Sequence, residues 1–328
     1  MTLRIGIVSF CYGNAAGIIE GLNSIDISEG EVVSWTLVDD GSPDPVNRQL
    51  LREWAESRNE QVNLLLHEKN AGLVVRMNQV LETLDCDYIQ ACGDDVFLPG
   101  ALDKIIQVAE ACDYPDVITG IGQWYNEDLT KPMAAFWGVL GKEEEYPVLL
   151  EAGDLRNRMF RGNFISAPST MWKLSSLKKW GGYDSDFVFE DWPLWMRVCS
   201  RYPDSRVAFL SEIIVKYRRL GRTSVAVSPA KKVWRENMEV EKVLLRLKYG
   251  ELRVRNDRQI AFEELSKLRW RAQSEKRRAL YHSLVARWFP VSRFLAYSSK
   301  GKTYALGPLI AHFEGVVMRL WSRLKRAK

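Results

Sequence analysis

The chain opens with a regular exchange between two hydrophobic patterns. Arg4 to Phe10, RIGIVSF, is a short apolar run that gives way to Gly13-Asn14, and residues 15–25 then carry Ile18, Ile19, Leu22 and Ile25 at helical spacing. A continuous apolar run bounded by turn residues marks a buried strand, and apolar positions three and four apart mark a helix that covers it. Val32 to Val38 predicts a second strand, ended by Asp39-Asp40-Gly41-Ser42-Pro43, and Val46 to Ser57 a helix with Leu50, Leu51 and Trp54 inward. Val62 to Leu66 and Tyr88 to Cys92 predict two further strands, followed by helices over 73–84 and 102–111. Strands alternating with helices across short connections predict a doubly wound α/β domain, a mostly parallel sheet with helices on both faces.

From about residue 117 the alternation loosens. Strands are predicted over 116–123, around 133–140 and over 164–172, a turn at Gly181-Gly182-Tyr183-Asp184, a helix over 191–202 and a strand over 213–218 that leads into a polar loop. This half reads as an α+β extension of the same sheet. Beyond Ala230 the pattern is almost wholly helical. The expected organisation is one domain over 1–228, with halves meeting near 115, and a helical region over 229–328.

Charge sharpens that division. The net charge of the 328 residues is only +4. Residues 229–328, however, hold 24 Lys+Arg against 9 Asp+Glu, so an acidic body of −11 carries a basic tail of +15. Such asymmetry points to an anionic partner. Residues 308–328 set Ile310, Phe313, Val316, Val317, Leu320, Trp321 and Leu324 broadly on one side, with Arg319, Arg323, Lys325, Arg326 and Lys328 towards the end. A basic amphipathic helix of this kind suits an anionic membrane surface. Packing on the acidic body is the second reading. Nucleic acid is the least favoured, because no zinc-finger or RNA-binding signature accompanies the charge.

Five cysteines without a C-x-x-C pair, four of them in apolar runs, read as buried thiols in a reducing compartment. No secretory signal opens the chain, and no apolar stretch reaches the roughly 18 residues of a spanning helix. The expectation is a cytoplasmic protein, peripheral on the cytosolic face of the membrane.

In open α/β sheets ligands bind beyond the carboxyl ends of the strands. Asp39-Asp40 and Asp94-Asp95 both lie at such ends. One pair alone is explained by turn and cap preferences. Two pairs facing one crevice repel and need neutralising, which a divalent cation such as Mg²⁺ achieves while completing its shell with substrate phosphates.

The order of these segments resembles the family 2 inverting glycosyltransferases, which have a GT-A fold. IGIVSFCYGN matches their opening strand and loop, LVDDGSPD the turn after the second strand, and EKNAGLVVRMNQVL the Asn-x-Gly segment with its following helix. YIQACGDDVFLPGALDKI matches the acidic strand end, and STMWKLSSLKKWGGYDSDFVFEDWPLWMRV the acceptor-side turn and the Glu-Asp that opens a helix. The resemblance covers about residues 3–225. It implies that Phe10, Cys11 and Tyr12 line the nucleotide base, that Asp40 accepts a hydrogen bond from base or ribose, and that Asp94 contacts ribose or supports the metal. It further implies that Asp95 coordinates Mg²⁺ or Mn²⁺ and that Asp191 is the general base. Glu190, Trp192, Arg219 and Arg222 are implied in the diphosphate and acceptor loops.

The implied donor is a nucleoside-diphosphate sugar of the UDP or dTDP type, and the implied acceptor a glycan hydroxyl, lipid-linked, in cell-surface polysaccharide or lipopolysaccharide synthesis. Residue types alone leave Asp191 open, since Glu190-Asp191 also favours a helix dipole. Cys92 stands where the family often has a third acid. Trp172 and Trp192 are candidate platforms for a sugar ring among aromatics that are otherwise core. Two other functions fit less well: a nucleotidyltransferase, for which no Gly-rich loop is present near the N-terminus, and a catalytically silent scaffold subunit.

Overall fold

The structure is a computed structural model and describes residues 2–58, 62–137, 146–187 and 189–218, with Leu245, Lys248 and Tyr249 beyond them. The chain divides into two compact units, Met1–Ser224 and Val225–Lys328. The expected basic helices, including 308–328, lie outside the described residues, as do Arg219 and Arg222.

The first part alternates as its hydrophobic pattern requires: β1 (Arg4–Cys11), α1 (Ala15–Asn23), β2 (Glu31–Asp39), α2 (Pro45–Ser57), β3 (Val62–Leu66), α3 (Leu73–Thr83) and β4 (Tyr88–Cys92). A two-residue β5 (Val96–Phe97) precedes α4 (Ala101–Ala111). The second part adds β6 (Val117–Tyr125), β7 (Pro132–Trp137), β8 (Val148–Glu151), α5 (Ala152–Arg161), β9 (Thr170–Lys173), α6 (Leu174–Lys179), α7 (Asp191–Arg201) and β10 (Arg206–Arg218). The strands form one sheet in the order β3-β2-β1-β4-β9-β6-β10-β5, with β7 on β6 and β8 on β10. Within it β1, β2, β3 and β4 pair in parallel, and so do β6 and β10, while β9 runs antiparallel between β4 and β6. The sheet is therefore mixed and mostly parallel.

Local chemistry explains the early elements. Asn14 caps α1 by accepting from the Gly17 N–H, and Asp44 caps α2 by accepting from Val46 at 2.9 Å, with Pro45 just inside. Ile5, Ile7 and Cys11 of β1 pack with α1, α2 and α4 in the main core. Val8 and Phe10, on the opposite face, line a small apolar crevice with Met77, Val80 and Leu81 of α3. Both faces of the strand are covered, so its sequence is a continuous apolar run and not an alternating one.

Three expectations change. The strand over 164–172 shortens to β9, because Pro168 has no N–H and side chains satisfy the preceding backbone: Ser169 Oγ donates to Gly120 O at 3.0 Å and Thr170 Oγ1 to Ser166 O at 2.6 Å. The last strand starts at Arg206, seven residues early, since a bulge between Phe209 and Ile213 absorbs Ser211-Glu212. Trp172 and Trp192 are 4% and 5% exposed, so neither offers a face to a sugar. The Trp172 ring lies 4.8 Å from that of Trp195 and 6.1 Å from that of Trp180, and Trp192 Nε1 donates to Met159 O. They are core.

Candidate active site

The carboxyl ends of β1, β2 and β4 gather the first group of expected residues, with β1 in the middle. The Asp-Asp-Gly-Ser turn after β2 is closed by the protein itself. Asp39, fully buried, pairs with Arg48 Nε of α2 at 2.9 Å and faces the Ser42 N–H. Asp40, 5% exposed, pairs with Arg76 Nε of α3 at 2.6 Å and also accepts from the Ala71 and Gly72 N–H groups at 2.9 and 2.7 Å. Gly41 sits at φ +76°, and a Cβ there would stand 2.7 Å from Asn70 N, which explains glycine at this place. The expectation that this pair needs an external cation is thus corrected. Two arginines neutralise it.

The second pair is different. Asp95 is 7% exposed, and its Oδ1 accepts from the Arg218 main-chain N–H at 2.6 Å. Burial, and then the charge of Asp94, push its carboxyl up to about 8. Asp94 is half-buried, accepts from Asn14 Nδ2 at 2.9 Å, and is also raised by burial. Arg218 reaches in from β10, but its guanidinium serves other oxygens: Asp94 O at 2.7 Å, Glu127 O at 2.6 Å and the Glu20 carboxylate. Backbone packs closely behind the pair, for a Cβ on Gly21 of α1 would lie 2.5 Å from Gly93 O and 2.6 Å from Asp95 O. Cys92 is 2% exposed and belongs to the core, so the pair stands without a third acid on this strand.

The expected base trio does not act together. Successive residues of a strand face opposite sides. Cys11 is 1% exposed and its thiol, 3.9 Å from Ser42 Oγ, is raised by burial. Phe10 points into the α3-side crevice, and Tyr12 alone presents an exposed ring, at 59%.

Asp191 opens α7, and Glu190 precedes it. The turn before the helix is held by Asn78 of α3, which donates to Tyr183 O and accepts from Tyr183 N at 2.9 and 2.8 Å. Asp191 Oδ1 accepts from the Trp192 N–H at 2.6 Å and Oδ2 from Asn163 Nδ2 at 2.7 Å. Burial pushes its carboxyl up to about 6 while these donors pull it back. Tyr217 of β10 links the two acidic regions: its phenol is raised by burial and then by the charges of Asp95, Asp191, Glu190 and Asp94. Its ring stacks on Trp124 at 5.8 Å. Sequence reasoning singled out none of Arg48, Arg76, Asn163 or the strand role of Arg218. Arg218 carried a signal only as the end of the strand over 213–218 that leads into a polar loop, and Arg76 only as part of the matched segment EKNAGLVVRMNQVL.

Residues 7–176, just over half of the chain, match the model of Glycosyl transferase family 2. The chain belongs to glycosyl transferase family 2. A curated relative, the O-antigen biosynthesis glycosyltransferase WbnJ of Escherichia coli, is 31% identical over 126 residues, which are 38% of this chain and 44% of that protein. The chain therefore matches less than half the length of that relative. Among solved structures, S. aureus TarS 1-349 in complex with UDP-GlcNAc aligns over 98% of this chain and 92% of its own, with a TM-score of 0.52 and 16% identity. The complex of the same protein with UDP aligns over the same shares with a TM-score of 0.50. The likeness is one of fold, GT-A, and the mixed sheet of this family member carries both acidic regions on it. Among the described residues no three His, Cys, Asp or Glu side chains converge to hold a metal, and no helix is long and apolar enough to cross a membrane.

Proposed function

We propose that this family 2 member is a metal-dependent inverting glycosyltransferase that moves a sugar from a nucleoside-diphosphate donor to a hydroxyl of a glycan acceptor. The observation that carries the reading is that two acidic groups, Asp94-Asp95 at the end of β4 and Glu190-Asp191 at the start of α7, both act by their charge on the buried phenol of Tyr217 in β10. Inverting transfer needs that pairing. One group steadies the leaving diphosphate, and the other removes a proton from the attacking hydroxyl.

The donor set of the second pair fits a hard divalent cation, Mg²⁺ or Mn²⁺. Its oxygens are those of carboxylates, Asp95 is buried, and burial and then the charge of Asp94 raise its carboxyl, a cost that a bound cation would offset. Asp95 would be a direct ligand and Asp94 its support, with phosphate oxygens filling the remaining positions. A cation bound there supplies Lewis-acid stabilisation of the leaving diphosphate. Arg218 fixes the geometry of the pair through its N–H and guanidinium. Tyr12, exposed beside this strand end, offers an aromatic face to a nucleotide base.

Asp191 takes the proton of the acceptor hydroxyl as its oxygen bonds to the anomeric carbon. The bond from that carbon to the diphosphate breaks, the diphosphate leaves with the electron pair, and configuration inverts. A carboxyl at about 6 is ionised at neutral pH and remains a competent base. The UDP-GlcNAc and UDP held by TarS support a donor of the UDP type, dTDP-sugars being the close chemical alternative. The likeness to WbnJ supports a place in O-antigen or related cell-surface polysaccharide synthesis. The excess of 24 basic over 9 acidic residues in 229–328 supports a lipid-linked acceptor met at an anionic membrane surface. Asp191→Asn is expected to abolish transfer, by a thousandfold or more, while binding of UDP persists. Near-normal turnover in that variant would refute the assignment.

A further inference from the structure

Asp191 is not oriented by its own helix alone. Asn163 lies between α5 and β9. Its Oδ1 accepts from the Ile165 N–H at 3.1 Å, within a segment anchored by Ile165 and Ser166, which are 0% and 2% exposed. That bond fixes which end of the amide faces which way. With the oxygen committed to Ile165, Nδ2 must turn the other way, and it meets Asp191 Oδ2 at 2.7 Å. A second tie runs between the same parts of the chain, from Trp192 Nε1 of α7 to Met159 O of α5 at 3.0 Å.

An amide donor is well matched to this place. It carries no charge to offset, does not titrate, and hydrogen-bonds only the ionised or acceptor face of a carboxylate. Among the described residues, the ionisable groups whose charges act together with Asp191 are Glu190 at the same helix start, Tyr183 in the preceding turn and Tyr217 on β10. Both tyrosines are pushed well above their ordinary range and stay neutral while a carboxylate titrates. None supplies a positive charge. Among the described residues, the side-chain donor to the buried carboxylate of Asp191 is Asn163, beside the main-chain N–H of Trp192.

We infer that Asn163 is the positioning residue of the catalytic base: it aims one oxygen of Asp191 and keeps that carboxylate ionised in a desolvated site. The inference rests on the reading of Asp191 as base, and it assigns to the loop between α5 and β9 a role in setting the lower pH limit of transfer.

The test uses the full chain with aspartate labelled at its carboxyl carbon. The Asp191 resonance is identified by its disappearance in Asp191→Asn and followed by carbon NMR as pH is changed. Asn163→Ala should move the Asp191 titration upward by about one pH unit, the scale expected when one hydrogen bond to the charged form is lost. Asn163→Ser is the companion variant, because its hydroxyl can still accept from the Ile165 N–H yet is too short to reach Asp191. It should titrate like the alanine variant while melting like the parent. With UDP-GlcNAc and Mn²⁺ as probe, release of UDP at pH 6 should fall about fivefold in both variants, as the ionised fraction of a base moved up from about 6 by one pH unit does, and recover towards pH 8, with KM unchanged. An Asp191 titration unchanged in both variants would overturn the inference, as would a uniform loss of turnover at every pH. The base reading fails separately: if Asp191→Asn releases UDP normally, Asp191 is not the base, whatever Asn163 does to its titration.

Discussion

Two Asp-Asp pairs stand at the carboxyl ends of β2 and β4, on either side of β1, and they are opposites. Asp39-Asp40 is answered by Arg48 and Arg76, each with a guanidinium nitrogen within 3 Å of a carboxylate oxygen. Asp94-Asp95 has Arg218 close by, yet that guanidinium goes to two carbonyls and Glu20, and among the described residues the pair receives neutral N–H donors, from Asn14 and the Arg218 backbone. The first pair binds α2 and α3 to the end of β2. Among the described residues the second has no guanidinium bonded to its carboxylates, only the charge of Arg218 nearby. A dipeptide and its place on a sheet do not decide between these roles. The cations that fold back onto it do.

The comparison can be broken most forcefully at Arg76. Arg76→Ala leaves Asp40 buried and unpaired, and removing one partner of a buried ion pair costs about 3–5 kcal/mol. Denaturant unfolding should show a loss of that size. A loss under 1 kcal/mol would mean that Asp40 is as independent as Asp95.

The mirror substitution should do the reverse. Asp95→Asn replaces a buried carboxyl, pushed up to about 8, with a neutral amide of the same shape, so in metal-free buffer near neutral pH the protein should melt within about 1 kcal/mol of the parent, or above it. A drop as large as that of Arg76→Ala would make Asp95 structural too.

A smaller effect sharpens the link to Asp191. Burial raises this carboxyl to about 6, so a required base loses its charge as pH falls through that value. Turnover should decline about tenfold per pH unit well below it. A rate unchanged down to pH 5 would place the proton transfer on another group.

Much of this was legible in the chain. The strands of β1 to β4 and the helices among them follow from apolar runs and spacing, since local pattern and topology agree there. Asp94 and Asp95 are marked by their place at a strand end, and Asp191 is singled out only by the family resemblance. What sequence hid depends on distant contacts. Arg48 and Arg76 read as ordinary polar faces of α2 and α3, and nothing local marks them as partners of the β2 turn. Asn163 acts on a residue 28 positions away across a turn without regular structure. Cys11 and Tyr12 are neighbours in a matched segment, but Cys11 ends β1 with its thiol in the core, while Tyr12 lies in the bend beyond the strand and is exposed. The bulged start of β10 was concealed because Ser211-Glu212 interrupts its apolar run.

The central claim is that the second acidic pair, and not the first, takes a cation together with the donor diphosphate. Calorimetric titration of UDP and of dTDP into the full chain, with and without Mn²⁺, tests it most directly when parent and Asp95→Asn are compared. The account predicts binding to the parent that is at least tenfold tighter with Mn²⁺, and no Mn²⁺ dependence in Asp95→Asn. Equal affinity for both nucleotides with and without Mn²⁺ in the parent, or an undiminished Mn²⁺ effect in the variant, would contradict it.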